Sequence, residues 1–406
     1  LSSLVALLRV RGTFRAFSAA LLGRLSYGTV FLSLTLGVAG ASGSYAVAGT
    51  AMALFGLCVS TLSPLRAALI DRYGARRALP PMAAAYALLL GCLAVAVWRP
   101  GADAVPLCAL AGAAGACAPP LGPTMRALWG HLAPGPEALQ RAYGLDAVME
   151  ELIFVTGPLL AGLFLLVSPG AGVAASAVLV LTGTVAFASS PAVRAMDASR
   201  EATRRGPRNE RPGGWWRRGP LPMTVTVTAA AGLCLGAVSL LLVAFAGQRG
   251  QTALVPWLEA AQAAGSALGG LLYAAVPWRS PLRVRLALLA AGLGLAVALA
   301  GLAPGGAAMA AAVFAAGVFV SPLLTTGYLL ADEAAGEEHR TQAGAWVNTA
   351  LNTGVSAGNA GSGLLAGWLA LPLCFAAAAV PVLASAAAAA GGVRRRTGAP
   401  AEPPPR

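Results

Sequence analysis

About twelve apolar stretches, each near the roughly 20 residues needed to cross a bilayer, follow one another along this chain. They run over 16–40, 46–65, 78–98, 104–127, 146–167, 171–190, 221–246, 251–276, 284–302, 305–331, 342–369 and 371–391. Inside hydrocarbon no water satisfies the backbone, so consecutive runs of this length must be helices. The fold class is therefore an all-α polytopic membrane protein with about 12 transmembrane helices. The composition agrees: 57% of the residues are hydrophobic and only 11% charged, too few to cover a soluble surface of this size. The first run is too long for a cleaved signal peptide, and more spans follow it. The chain opens on Leu1, so its true start is expected to be missing or miscalled.

The gaps between runs alternate. The odd gaps are short and nearly uncharged, apart from Arg99, Asp103 and Arg249. The even gaps hold Arg72, Arg76 and Arg77, then Arg126 and Arg141, then Arg279, Arg283 and Arg285. The ends add Arg9, Arg11 and Arg15, and Arg394, Arg395 and Arg396. The positive-inside rule puts both termini and every even loop in the cytoplasm, which requires an even number of spans. The middle loop carries eight of these Arg residues, from Arg194 to Arg218, and divides the spans six and six. It reads as a solvated linker brushing anionic lipid, with Trp215 and Trp216 as interfacial anchors. The expected layout is a six-helix bundle over 1–190, a basic cytoplasmic linker over 191–220, a second bundle over 221–393 and a disordered tail over 394–406.

All 28 basic residues are Arg, and with the abundant Ala this suggests a GC-rich bacterial genome and a bacterial cytoplasmic membrane. Without Lys there is no Walker A loop and no Schiff-base chemistry. Transport must then run on a gradient, with no cofactor, or on a partner's ATPase. The six Cys fall inside apolar runs without a CxxC pair, and the two His lie in different loops, which argues against a metal or disulfide framework. The Gly354–Gly358 match to a G-x-S-x-G nucleophile motif sits in a membrane helix without a His partner, so the chain is not read as an enzyme. The charge distribution argues against nucleic acid as a partner. The expected partners are a small-molecule substrate and the bilayer, and the protein is expected to act as a monomer.

The densest charge knot follows the second span and reads Ala67-Ala68-Leu69-Ile70-Asp71-Arg72-Tyr73-Gly74-Ala75-Arg76-Arg77. With six plus six spans, a long basic central loop and cytoplasmic ends, it resembles the major facilitator superfamily. That family's loop has the form G-x-L-A-D-R-x-G-R-R/K; Asp71, Arg72, Gly74 and Arg76 match it, while Ala67 and Ala75 replace the leading Gly and the first Arg. The resemblance implies two pseudo-symmetric six-helix bundles and transport by alternating access. Within it, Asp71 would meet the cytoplasmic start of span eleven and, with Arg76, gate the cycle. Gly157-Pro158-Leu159-Leu160-Ala161-Gly162 in span five resembles an element of the family's antiporters and favours efflux. The pair Gly157–Pro158 equally suits a kink or a close helix approach.

Ionisable residues inside spans are costly and so are candidates for function. Arg24 in span one is expected to pair with Glu151 or Glu150 in span five, closing the cytoplasmic mouth or holding a substrate or proton. The alternative is an Arg24 that snorkels, with the acids and Asp146 favouring a helix N-terminus. Glu259 stands alone in span eight and suits a proton carrier, or reaches the outer headgroups instead. Tyr27 and Tyr328 could wall a cavity or simply pack. Asn348, Asn352, Ser356 and Asn359 share one helical face, with Gly354 and Gly358 close by, for a transport path or for hydrogen bonds to a neighbouring helix. Pro119, Pro120 and Pro123 should break span four where such transporters bind substrate. The favoured function is proton-coupled export of a small amphipathic or drug-like molecule. The alternatives are an importer of a sugar or other metabolite, and a non-transporting receptor or scaffold.

Overall fold

The computed structural model describes residues 12–98, 101–205, 219–276, 278, 280–365 and 368–397. Arg9, Arg11, Arg99, Arg279, the basic stretch from 206 to 218 with Trp215 and Trp216, and the tail beyond Thr397 lie outside the described residues. Fourteen α-helices are described: α1 Thr13–Ser42, α2 Tyr45–Thr61, α3 Ser63–Tyr73, α4 Ala75–Ala96, α5 Ala104–Cys117, α6 Leu121–Leu132, α7 Pro136–Leu165, α8 Pro169–Ala188, α9 Pro191–Arg205, α10 Leu221–Gln248, α11 Val255–Ala275, α12 Leu282–Ala300, α13 Gly306–Leu365 and α14 Leu371–Thr397.

Among the described residues nine helices are long and apolar enough to cross a membrane, or ten if the bent pair α2 and α3 counts as one crossing. The remaining differences from the sequence reading have local causes. α13 holds two expected spans joined across Gly336, whose φ of +61° lies outside the helical region. α11 corresponds to the expected eighth span and contains Glu259. The expected fourth span is split: α5 ends at Cys117, Pro119 and Pro120 fall in the gap, and α6 restarts at Leu121. The stretch read as a solvated linker begins instead with a helix, α9, whose Asp197 and Arg200 turn back onto the protein. The last helix runs to Thr397, past the expected start of the tail at 394.

The chain divides into two compact units. The first comprises Leu1–Gly213 and Ala335–Thr349; the second comprises Gly214–Ala334 and Ala350–Arg406. In the first unit α1 packs on α8 and α7, α4 on α8, and α2 on α5. Its apolar core gathers Val30, Leu34, Phe55, Tyr86, Leu90, Leu107 and Val180. In the second unit α12 and α10 pack on α14 around Leu241, Phe245, Leu293, Val313 and Phe375.

Candidate functional site

Four ionised side chains meet in the first unit. α7 presents Asp146 and Glu150 one turn apart on one face, while Glu151 is rotated by about 100° from Glu150. α1 brings Arg24, and α6 brings Arg126. Arg24 Nη1 donates to Asp146 Oδ1 at 2.7 Å, and Arg24 Nη2 lies 3.1 Å from Glu150 Oε2. Arg126 Nη2 donates to Glu150 Oε2 at 2.5 Å, and Arg126 Nε lies 3.1 Å from Asp146 Oδ2. The two 3.1 Å pairs are not aligned as hydrogen bonds, so Arg24 Nη2 and Asp146 Oδ2 retain hydrogen-bonding capacity. Two positive and two negative charges cancel, as burial in a low-dielectric interior demands. Arg24, Arg126 and Asp146 are buried, whereas the Glu150 side chain keeps 32% of its surface exposed. Glu150 is therefore the member of the cluster that is left partly uncovered.

The helices can bring these groups together because their contact points are glycines. A Cβ on Gly28 of α1 would fall 2.6 Å from the Ile153 carbonyl oxygen of α7. A Cβ on Gly157 would land on the backbone of Gly28, so the Gly157–Pro158 pair sits at a close approach of α1 and α7. Of the two partners expected for Arg24, the ion pair formed is with Glu150. Asp146 was read only as a helix-terminus acid, yet it lies closest to Arg24 and is fully buried. Arg126 was counted as a loop charge. The proline break starts a new helix ahead of it and carries it inside.

The break exposes backbone carbonyls, and two side chains take them. The Tyr27 hydroxyl donates to the Pro119 carbonyl. Arg66, which the sequence reading did not single out, donates to Val59 O at 2.5 Å, Gly115 O at 2.5 Å and Ala116 O at 2.9 Å. It thus ties the end of α2 to the end of α5. The available signal was an Arg more than a turn ahead of Asp71, on its apolar side.

The knot itself forms a clasp. Asp71 Oδ2 accepts from the Gln342 N–H at 2.8 Å, and Asp71 Oδ1 from the Thr341 N–H at 3.3 Å. Arg200 of α9 places Nη1 3.3 Å from Asp71 Oδ1 and donates through Nη2 to Thr341 Oγ1 at 3.4 Å. Asp197, also on α9, caps α4 by accepting from the Ala75 and Arg76 N–H groups at 3.0 and 2.9 Å. Gly74 turns the chain with φ of +87°, and a Cβ there would meet the Asp197 carboxylate. Arg76 is engaged through its backbone while its residue is exposed. Arg72 is exposed and lies over the Tyr73 ring at 5.2 Å.

The other candidates lie apart from this cluster in sequence and element. Glu259 is an exposed residue of the second unit, where Ser239 Oγ donates to its Oε1 at 3.2 Å. Tyr328 is buried on α13, and Asn348 and Asn352 on the same helix are half-buried.

A sequence profile of the Major Facilitator Superfamily matches residues 16–304. No curated protein sequence matches the chain. Among solved structures, a bacterial homologue of the iron transporter ferroportin, outward-facing with soaked iron, superposes with a TM-score of 0.73 at 14% identity, covering 96% of this chain and all of that one. The human organic anion transporter MFSD10 gives 0.71 at 16% identity, over 93% of this chain and 99% of its own. The proton:xylose symporter XylE gives 0.67 at 14% identity, over 93% and 94% of the two chains. At these identities the likeness is one of fold.

Proposed function

The chain belongs to the Major Facilitator Superfamily, and we propose that it exports a small amphipathic molecule in exchange for protons, by alternating access. Secondary transport across a membrane comes with the family; direction, substrate and coupling are our reading. The observation that carries it is Glu150, a partly exposed carboxylate held by two buried arginines. The cluster is neutral when both acids are ionised. A basic group on the substrate that pairs with Glu150 occupies the oxygens a proton would take, so the two compete for one site. Competition of that kind is what exchange requires. Asp146, fully buried, serves as the fixed counter-ion that keeps both arginines in place.

The clasp at Asp71 supplies the gate in this reading, with Arg200 and Asp197 as further members. Glu259 is a second carboxyl on the proton's path, and Tyr27, Tyr328, Asn348 and Asn352 contribute polar lining. In this reading the Arg-bearing loops put both termini in the cytoplasm, the Arg-only basic composition favours a bacterial plasma membrane, and the family layout of two six-helix bundles is read as a monomer.

The test is flux through proteoliposomes with an imposed pH gradient, run across a panel of compounds for wild type and Glu150→Gln. Wild type is expected to accumulate amphipathic cations against the proton flow. Glu150→Gln is expected to lose some stability but stay folded, which thermal unfolding in detergent checks, and to lose the response to the gradient. A gradient-driven flux unchanged in Glu150→Gln would overturn the proposal. Flux of a sugar along with protons would replace export by import.

A further inference from the structure

A groove of about 600 Å³ lies within the first unit, lined by residues of α3, α4 and the end of α5. Leu69, Ala78, Pro81, Met82 and Ala85 form its apolar wall, and Arg66 and Arg77 are its charged members. From Arg77 to Ala85 along α4 it extends for about 12 Å, eight residues at a helical rise. Arg77 stands one turn or less from the Gly74 turn, and Arg66 lies beside the α2–α3 bend. Leu69, Tyr73 and Arg77 are exposed along the rim.

The charge of this groove is unbalanced. Arg77 forms no ion pair or hydrogen bond among the described residues. Arg66 is 6% exposed and spends its two terminal nitrogens on carbonyl oxygens, with no carboxylate among its partners; its Nε has no hydrogen-bond partner. Two guanidiniums without an acid on an apolar trough suit an amphiphile with an anionic head. A membrane supplies one such molecule in quantity, and basic pockets between membrane helices bind acidic headgroups.

We propose that this groove is a binding site for one anionic phospholipid, its phosphate at Arg77 and Tyr73 and an acyl chain along Leu69, Ala78, Pro81, Met82 and Ala85. The stem of Arg66 closes the far end, where its charge adds to the attraction without contacting the head. The phosphate stands beside the Gly74 turn, whose flanks carry the hydrogen bonds of Asp71 and Asp197. Lipid composition would then act on the clasp, separately from the substrate cluster.

Native mass spectrometry of the detergent-purified protein, titrated with phosphatidylglycerol or with phosphatidylethanolamine of the same chains, tests the site. Wild type is expected to retain one phosphatidylglycerol in clear preference to phosphatidylethanolamine. Arg77→Gln should abolish the preference, and Ala85→Trp, which fills the trough, should abolish the retained lipid. Equal retention of the two lipids by wild type, or an unchanged preference in Arg77→Gln, overturns the proposal. Thermal unfolding of both variants shows whether they fold; if Ala85→Trp does not, the exposed Arg77→Gln decides alone. Retention of detergent or free fatty acid in place of phospholipid also counts against it.

Discussion

Both units close helices backbone to backbone at glycines, and the first adds a cluster of four charged side chains where α1, α6 and α7 meet. A Cβ on Gly232 or Gly236 of α10 would strike the carbonyl oxygens of Leu351 and Val355 on α13. Gly354 and Gly358 answer in kind against Ala229 and Leu233. Gly265 and Gly269 of α11 do the same against Phe314 and Val318. Some hydroxyls in the second unit bond within their own helix, Thr228 Oγ1 donating to Thr224 O at 2.8 Å and Thr326 Oγ1 to Pro322 O at 2.8 Å, while the Tyr273 and Thr326 hydroxyls also meet across helices at 2.7 Å. In lipid, small residues give close van der Waals packing without desolvation cost. Charges inside a span are costly and persist where they do work. The contrast lies in the ion-pair cluster of the first unit, which is the costlier arrangement.

The contrast can be broken most directly at Asp146. Asp146→Asn leaves Arg24 and Arg126 facing a single carboxylate, and removing one member of a buried ion pair costs about 3–5 kcal/mol. Thermal unfolding in detergent should show a large loss, partly restored by adding Arg126→Gln. A variant as stable as wild type would mean that the cluster is not neutral by necessity. A smaller effect is expected from Gly236→Leu. Overpacking a closed contact costs roughly 1–3 kcal/mol, and Gly49→Leu, with nothing within 4 Å of its added Cβ, provides the reference. Equal stability of those two variants would remove the backbone-contact account of the second unit. The smallest change is expected at Ser321 of α13, a buried hydroxyl with no hydrogen-bond partner among the described residues. Ser321→Ala discards a polar group that gains nothing by burial, so stability should stay within about 0.5 kcal/mol or rise slightly. A marked loss there would show that the second unit depends on polar contacts after all.

The helical membrane fold was legible because apolar length is a local property. The break in span four was legible too, since proline removes a backbone donor wherever it stands. Arg24 and Glu150 could be singled out as costly, but Asp146 could not be told from a helix-terminus acid, nor Arg126 from a loop charge. Their burial depends on how far α6 continues after the break and on which face of α7 turns inward. Arg66 escaped notice because its partners are carbonyl oxygens, which no residue type announces. α9 was hidden for a similar reason: its basic residues look like a solvated linker until Asp197 finds the start of α4 and Arg200 finds Asp71.

By itself the sequence determined that this chain crosses a membrane many times as helices, which ends of those helices carry arginine, and that Lys-dependent chemistry is absent. Those conclusions rest on length, period and composition, and the bilayer enforces them on each segment separately. Only the tertiary structure decided which charges cancel which. An ion pair needs two groups within a few ångströms, and here Arg24 lies more than a hundred positions from Asp146, their helices brought together at glycines whose only signal is the lack of a side chain.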